Sequence, residues 1–325
     1  MNILMCSVGR RGELLKNFRS SMVSGSKIIA TDLSPYAPAL YMADKQYLVP
    51  RIDDPAYIEM ILDICKKEKI NVVTTFIDPE IEILAKNRDK FEAQGVEVLA
   101  PYEETAKLCF DKYLMFQHLM KNNIPTVMTW GTLEQFEKAF NAGEVEFPVF
   151  VKPRTGSGSV GARKVYSYEL LAEAMTEDPS LIIQEYMDCI DLDADVYIDT
   201  ITHEAVAAFS KKKIETRIGG ASKTVSFKDE KLFDFISQIV KTLKFNGPVD
   251  MDFFYRDGQY YLSEVNPRFG GAYLHAYGAG VDFIKLIENN LNGIANKPNF
   301  GDYEEGVVMM MYDSVVIKKQ EDLAR

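Results

Sequence analysis

Asp252, Glu264 and Asn266 are two carboxylates and an amide within one short stretch, and Arg268 follows directly after them. Hard cations such as magnesium take oxygen ligands from carboxylates, amides and phosphates. A guanidinium beside such a cluster can meet a phosphate or an acyl oxygen. The stretch from Gly247 to Glu264 reads as strand, Asp257-Gly258 turn, strand. Side chains alternate faces along a strand, so Glu264 and Asn266 point the same way. An odd-length hairpin loop would add Asp250 and Asp252 to that face, leaving Met251, Phe253, Tyr255, Tyr261 and Val265 on the other as core. A two-residue loop would put Asp252 on the wrong side. The plain reading is a polar hairpin face turned to solvent.

A second group of residues lies upstream. Phe147-Pro148-Val149-Phe150-Val151-Lys152-Pro153 is a strand carrying a lysine, and Arg154-Thr155-Gly156-Ser157-Gly158-Ser159-Val160-Gly161 is a glycine-rich loop. Glycines let successive backbone N–H groups face one anion, and the serines add donors. The lysine precedes the glycines and no helix-opening Gly-Lys-Ser/Thr follows, so this is not a P-loop. The arrangement suits a lid that closes on phosphates while Lys152 reaches their oxygens. Leu181 to Met187 then offers backbone N–H and C=O groups to an adenine edge and apolar side chains to its faces. Of the acids Asp188, Asp191, Asp193 and Asp195, Asp191 is placed to meet a ribose hydroxyl. The plain reading of these acids is a charged loop entering a strand from Ala194 to Thr200.

These residues need elements to hold them. In the first hundred residues, apolar runs at Asn2–Val8, Lys27–Thr31, Asn71–Phe76 and Val96–Leu99 alternate with helical patterns, among them one over Glu80–Lys90. Such alternation predicts right-handed crossovers and a parallel sheet, a Rossmann-like three-layer domain. Gly9-Arg10-Arg11-Gly12 ends the first run and Asp32 the second, but the turn is not G-x-G-x-x-G, which argues against a nicotinamide site. Arg10 and Arg11 could face a carboxylate or phosphate of a substrate, or the turn is simply solvated. Asp78-Pro79-Glu80 follows the third run, where loops of open α/β sheets carry ligand contacts; the plain reading makes Asp78 only an N-cap, with Glu80 favourably placed in the first helical turn. Glu103–Lys121 is helical, with Leu108, Leu114, Phe116, Leu119 and Met120 as core positions and Asp111-Lys112-Tyr113 interrupting the pattern. Leu133–Phe140 is another helix, and Gly306–Ile317 a late apolar strand completing a sheet.

Composition sets bounds. The 325 residues allow two or three domains; 47% hydrophobic and 26% charged residues are ordinary for a globular protein. A net charge of −11 argues against a nucleic-acid surface. The four scattered cysteines read as thiols in a reducing cytosol, and the three distant histidines make a histidine metal site improbable. No run reaches the about 18 apolar residues of a membrane span. The start at Met1–Ser7 reads as a strand rather than a signal peptide. The expectation is a cytoplasmic protein with neither nucleic-acid nor membrane partners.

In order, the chain carries Lys112 on a helix, Lys152 with Gly156 to Gly161, Gln184-Glu185, Asp191, Asp252, and Glu264-Val265-Asn266-Pro267-Arg268. This resembles the ATP-grasp superfamily, and within it the large-subunit domains of carbamoyl phosphate synthase. The resemblance runs from Asn2 to about Gly293. It implies a Rossmann-like pre-ATP-grasp domain over residues 1–100 and an ATP-grasp domain of two α+β subdomains over 101–325, with 148–187 as the lid. It implies that Lys112, Lys152 and the loop residues Gly156, Ser157, Gly158, Ser159 and Gly161 contact ATP phosphates. Gln184, Glu185 and, through its backbone, Met187 would meet adenine, and Asp191 the ribose. Asp252, Glu264 and Asn266 would hold two magnesium ions, with manganese as a substitute. Arg268 and Lys152 would be catalytic.

The implied reaction is ATP-dependent activation of a small-molecule carboxylate as an acyl phosphate, which an amine or similar nucleophile attacks. The chain departs from a full carbamoyl phosphate synthase in its length, in lacking the duplicated half, and in showing no cysteine–histidine glutaminase constellation. The loop Asp188-Cys189-Ile190-Asp191 lacks the family's usual glycine, which bears on the ribose assignment. On the substrate side, Arg217 is read as a clamp for a carboxylate, and Gly270-Gly271 after the metal strand as a close approach to substrate, alongside Arg268. The bland reading of Lys211-Lys212-Lys213 and Arg217 is a solvated basic loop. Ser263 and His275 are read as structural. A homodimer is among the expectations. The alternative is an ATP-binding subunit or regulatory protein without ligase chemistry.

Overall fold

The computed structural model describes residues 1–156, 161–217 and 220–324; Ser157, Gly158, Ser159 and Gly219 lie outside the described residues. Five strands form the first sheet: β1 (Asn2–Cys6), β2 (Lys27–Asp32), β3 (Lys45–Leu48), β4 (Val72–Thr75) and β5 (Glu97–Val98). They lie in the order β3-β2-β1-β4-β5 and all pair in parallel. Strands buried on both faces read as unbroken apolar runs, which is why β1, β2 and β4 were visible in the sequence. β3 was not: Lys45-Gln46-Tyr47-Leu48 is short and mostly polar. The chain turns to β2 and β3 on one side of β1 and to β4 and β5 on the other. The crevice at the carboxyl ends of β1 and β4 is therefore a topological switch point, where open α/β sheets receive ligands. The turn Gly9–Gly12 and the acid Asp78 both sit there.

A small antiparallel sheet follows, built of β6 (Thr129–Trp130), β7 (Val149–Pro153), β8 (Arg163–Val165) and β9 (Leu181–Glu185) in the order β6-β9-β7-β8. The third sheet has six strands, β10 (Ile190–Ile198), β11 (Ala205–Arg217), β12 (Gly220–Phe227), β13 (Gly247–Arg256), β14 (Gln259–Asn266) and β15 (Val308–Met310), ordered β14-β13-β10-β11-β12-β15. One continuous core joins the first and third sheets, with Phe18 packed edge-on to Phe269 at 5.3 Å between centroids. The small sheet has its own core around Trp130, Phe136, Val149 and Ile183.

Several expectations are corrected. The helix expected over Glu80–Lys90 is two, Asp78–Lys86 and Arg88–Glu92, broken at Asn87. The helix expected over Glu103–Lys121 is also two, Glu103–Phe110 and Lys112–Lys121. Asp111 between them takes extended backbone, and its carboxylate caps the second helix by accepting from the N–H groups of Tyr113 and Leu114. The break re-phases the apolar face: Met115 and Leu119 are buried, whereas Leu114 and Met120 are exposed. Of Gly306–Ile317 only Val308–Met310 is strand, paired to β12 at the edge of the sheet, and the side chains of Tyr312, Val315 and Ile317 are in solvent. His275 is buried, its Nδ1 2.8 Å from Thr224 Oγ1, as a structural histidine would be.

Burial pulls the His275 pKa down to about 4, helped by the Lys211 charge. The folded value lies below the unfolded one, so the unfolded chain binds more protons between them. Stability is complete above about pH 6.5 and lost as pH falls toward 4, by on the order of 2–3 kcal/mol. Replacing His275 by Gln should flatten that part of a urea-melt stability profile; an unchanged slope between pH 6.5 and 4.5 would contradict this role.

Candidate active site

The hairpin β13–β14 settles how the carboxylates come together. Its loop is the two-residue one: Arg256 pairs with Gln259, and only Asp257 and Gly258 lie between, both at positive φ. The odd-length loop expected from the sequence is absent. Regular pairing from this turn would set Asp252 opposite Ser263 and send Glu264 to the core. Instead the register shifts by one between Phe253 and Asp252, so that Phe253 faces Leu262 while Asp252 faces Glu264 and Asp250 faces Asn266. Ser263 is the extra residue of a β-bulge, a device that re-aims side chains beside functional sites. The bulge also exchanges two assignments. Leu262 is buried in the core, and Tyr261, expected there, lies opposite Phe254 on the other face.

Asp252 and Glu264 open into a cleft of about 610 Å³ between the small sheet and the six-stranded sheet. Lys112, Lys152, Gly156, Gln184, Glu185, Met187 and Asp191 line the same cleft. Nine of the residues picked from sequence are thus gathered at one place. Arg268 and Asn266 sit just beyond: Asn266 lines an adjoining crevice with Glu264 and Asp78, and Arg268 is buried behind it. Arg217 is not brought in. Its side chain is 62% exposed and paired with Asp313 at 3.3 Å, which also holds Arg10 at 3.6 Å. Gly161 is not among the residues that line the cleft.

The two lysines are held differently. Lys112 opens its helix, donates to the Gly156 carbonyl at 2.6 Å and stands 3.6 Å from Glu264. Its backbone N–H bonds the Arg154 carbonyl, and Arg154 grips Asp111, so the start of the glycine loop is fastened to the break between the two helices. Lys152 is buried on β7, and among the described residues no carboxylate lies within 4.0 Å of it. Burial pulls its pKa down and Lys112 adds to this, against the pull of Glu264 and Asp252. A buried ammonium without a counter-charge fits an anion that arrives with the ligand. Lys152→Ala should weaken nucleotide binding by roughly 10- to 100-fold, the worth of a charge-assisted hydrogen bond. Unchanged affinity in a calorimetric titration would exclude the contact.

At the inner end, Phe150 lies on the same face of β7 as Lys152, and Phe254 follows Asp252 by two on β13; both line the cleft with Tyr186 and Met187. These aromatic and thioether groups offer flat apolar surfaces to a base. Gln184 donates to Thr129 Oγ1 at 3.0 Å, and the Glu185 carboxylate is tied to Arg256 at 2.8 Å.

The floor was misjudged. Lys211, Lys212 and Lys213 are not a solvated loop but part of β11, and Asp191, Asp193 and Asp195 are part of β10. Side-chain alternation puts Lys211 and Lys213 on the face of the three aspartates. Lys211 has no solvent exposure and is clamped by Asp193 at 2.9 Å and by Asp195. Lys213 bridges Asp191 at 2.9 Å and Asp252 at 2.5 Å. The period-two spacing of both runs could have shown this. Burial, and then the pull and push of these neighbours, leaves the Asp195 and Asp252 carboxyls at about 6 and Asp250 well above the usual carboxylate range. The face is short of positive charge.

That shortage is the test of fit for a metal. Among the described residues no three His, Cys, Asp or Glu side chains stand at metal-ligand spacing. The donors that do converge are Asp252, Glu264 and the amide of Asn266, whose nitrogen lies 3.5 Å from Asp252 Oδ2. They are hard oxygen donors beside carboxyls that burial and mutual repulsion hold up, and they suit magnesium.

The crevice of the first sheet contributes from the other side. Asp78 Oδ1 meets Arg268 Nε at 2.7 Å and its Oδ2 accepts from Nη2 at 3.2 Å. Arg268 also lies 3.7 Å from Asp250. Asp78 is thus no N-cap, which is Ile77. Glu80 does lie in the first helical turn, but it is fully buried and accepts from Ser7 and Thr75 at 2.6 Å each and from Tyr57. Asp32 accepts from the N–H groups of Gly9 and Ser34 at 2.9 Å each, so its carboxylate shapes the first turn. A Cβ at Gly270 would meet carboxylate oxygens of Asp195 and Asp250 at 2.8 Å, and one at Gly271 would meet the Arg11 guanidinium at 3.0 Å. The glycines thus let this backbone pass between charged groups.

Comparison with known proteins agrees with this architecture. Residues 109–272 match the model of the ATP-grasp domain, and residues 3–99 that of the PylC-like N-terminal domain. The chain is 26% identical over 239 residues to the arginine-specific large chain of carbamoyl phosphate synthase from Geobacillus stearothermophilus, covering 70% of this chain and 22% of that protein. It is 24% identical over 268 residues to the carbamoyl phosphate synthase large chain of Sulfolobus acidocaldarius, covering 78% and 25%. The chain thus spans about a quarter of the length of these curated relatives. Among solved structures, N5-carboxyaminoimidazole synthetase from Staphylococcus aureus complexed with ADP superposes with a TM-score of 0.75 at 17% identity, covering 95% of this chain and 81% of that one. An L-amino acid ligase from Bacillus licheniformis gives 0.69 at 17% identity, covering 91% and 75%. Among the described residues no helix is long and apolar enough to cross a membrane.

Proposed function

The chain belongs to the ATP-grasp family, and from that premise we propose that it is an ATP- and magnesium-dependent ligase that activates a carboxylate as an acyl phosphate for attack by an amine or similar nucleophile. The observation that carries this reading is the convergence of Lys112, Lys152, Asp252 and Glu264 on one cleft with apolar faces at its inner end. We take residues 1–100 as the N-terminal domain and 101–325 as the ATP-grasp domain, with 148–187 as its lid.

A carboxylate is a poor electrophile because oxide is a poor leaving group. Transfer of the γ-phosphoryl group to one of its oxygens, with ADP departing, provides phosphate as the leaving group. An amine then attacks the acyl carbon, phosphate departs and the amine proton is lost. Magnesium held by Asp252, Glu264 and Asn266 would neutralise phosphate charge. In this reading Lys112, Lys152 and the N–H groups of Gly156 and Gly161 bind phosphates, with Ser157, Gly158 and Ser159 as further donors. Gln184, Glu185 and Met187 border the base and Asp191 the ribose. Arg268, fixed by Asp78, offsets charge on the phosphoryl group and acyl phosphate. Positioning does most of the remaining work, and no side-chain nucleophile is needed. Gly270 and Gly271 border the acceptor. Two metal ions and a homodimer complete the proposal.

Release of ADP and phosphate, measured across panels of carboxylates and amines, tests it. Release that depends on both substrates is the expected result. Tight Mg-ATP binding with no turnover in any mixture would sink the ligase and leave a nucleotide-binding regulator.

A further inference from the structure

Asp252 is asked to hold a metal, yet its Oδ1 is already taken by an ammonium. Lys213 Nζ lies 2.5 Å from it and 2.9 Å from Asp191 Oδ1, and its side chain is only 14% exposed. The lysine lies on the cleft floor with both acids and with Glu264. A magnesium ion binds a carboxylate oxygen at about 2.0–2.1 Å. The metal meets that ammonium whether it takes Oδ1 or the other oxygen, Oδ2, which lies 3.5 Å from the Asn266 amide nitrogen, and two cations on one carboxylate repel strongly. The position is also built rather than accidental. β11 pairs with β10 so that Lys213 reaches across Asp191 to Asp252 on β13, and Lys212, on the opposite face, lies over the Phe227 ring.

We infer that Lys213 is a resident cation that holds Asp252 and Asp191 in the nucleotide-free protein and yields Asp252 to the metal only when a nucleotide arrives. This rests on the proposed reading of the cleft as a metal–nucleotide site. A free divalent ion must compete with an ammonium that is tethered and loses no translational freedom on binding. A metal nucleotide brings phosphate oxygens that accept the displaced ammonium, so the exchange leaves no charge unpaired. Metal binding is therefore conditional on nucleotide, and the site does not load with metal alone.

The experiment is electron paramagnetic resonance of free Mn2+, titrated with the full chain, with and without ADP, and paired with thermal melts. Wild type should leave Mn2+ free without ADP and bind it with ADP. Lys213→Met should melt lower without ligand and bind Mn2+ without ADP at least about tenfold more tightly than wild type, since the competing charge is gone. Lys213→Arg and Lys212→Met should behave as wild type. If Lys213→Met folds poorly, the charge-balanced pair Asp191→Asn with Lys213→Met should fold and show the same ADP-independent Mn2+ binding. Equal Mn2+ binding by wild type and Lys213→Met without ADP would overturn the inference while leaving the ligase reading intact. Failure of wild type to bind Mn2+ even with ADP would sink the ligase reading and this inference with it.

Discussion

Glu264→Ala should lose metal-dependent ATP turnover by ~10²–10³-fold or more, the scale of removing one preorganised electrostatic contact from a reacting centre. The side chain is 29% exposed; Lys112, 3.6 Å away, keeps its bond to the Gly156 carbonyl, and Lys152 keeps the pull of Asp252, so the melting temperature should stay within a few degrees of wild type. Glu264→Gln keeps the shape and removes the charge, and it should fall nearly as far. Steady-state ADP release alongside a thermal melt checks both halves. Turnover like that of wild type would remove Glu264 from the metal site, whatever the melt shows.

The largest loss of stability should come from Lys211. Its ammonium is fully enclosed, with Asp193 and Asp195 as its partners. Burial opposes the charge, but Asp193, Asp195 and Asp250 outweigh it and hold the lysine protonated. Lys211→Met fits the space and leaves Asp193 and Asp195 without the ammonium that clamps them. Breaking such a pair from one side costs ~3–5 kcal/mol. That corresponds to a melting temperature lower by on the order of 10 °C. Adding Asp195→Asn restores part of the balance and should recover part of the loss. A Lys211→Met melt within two or three degrees (about 1 kcal/mol) of wild type would show that the carboxyls simply take up protons instead.

Strands β1, β2 and β4 of the first sheet and the lysine strand β7 were legible because both-faces burial and short apolar runs leave a plain trace. Most of the cleft was legible for a different reason. Lys152, Asp252 and Glu264 are charged residues set in apolar strands, and a charge there needs a purpose. The bulge was not legible, because Ser263 looks like any other strand residue and the shift is set by two ends of one hairpin making different demands: a tight turn at Asp257-Gly258 and a face match at Asp252. The Lys211–Lys213 run was misread because three consecutive lysines look solvated until their partners on β10 are known. The N-cap reading of Asp78 failed for the same kind of reason. Nothing near it in sequence points to Arg268, and local cap chemistry is the default for an acid before a helix.

Arg268 depends on an acid 190 positions upstream, in the other domain. The first hundred residues are therefore not a detachable module. Chimeras that exchange the N-terminal segment must carry a carboxylate at the start of the helix after the fourth strand, or the arginine loses its bidentate partner. A recombination junction near residue 100 separates the two partners, so productive exchanges should travel in matched pairs. Drift at one position constrains what the other can become.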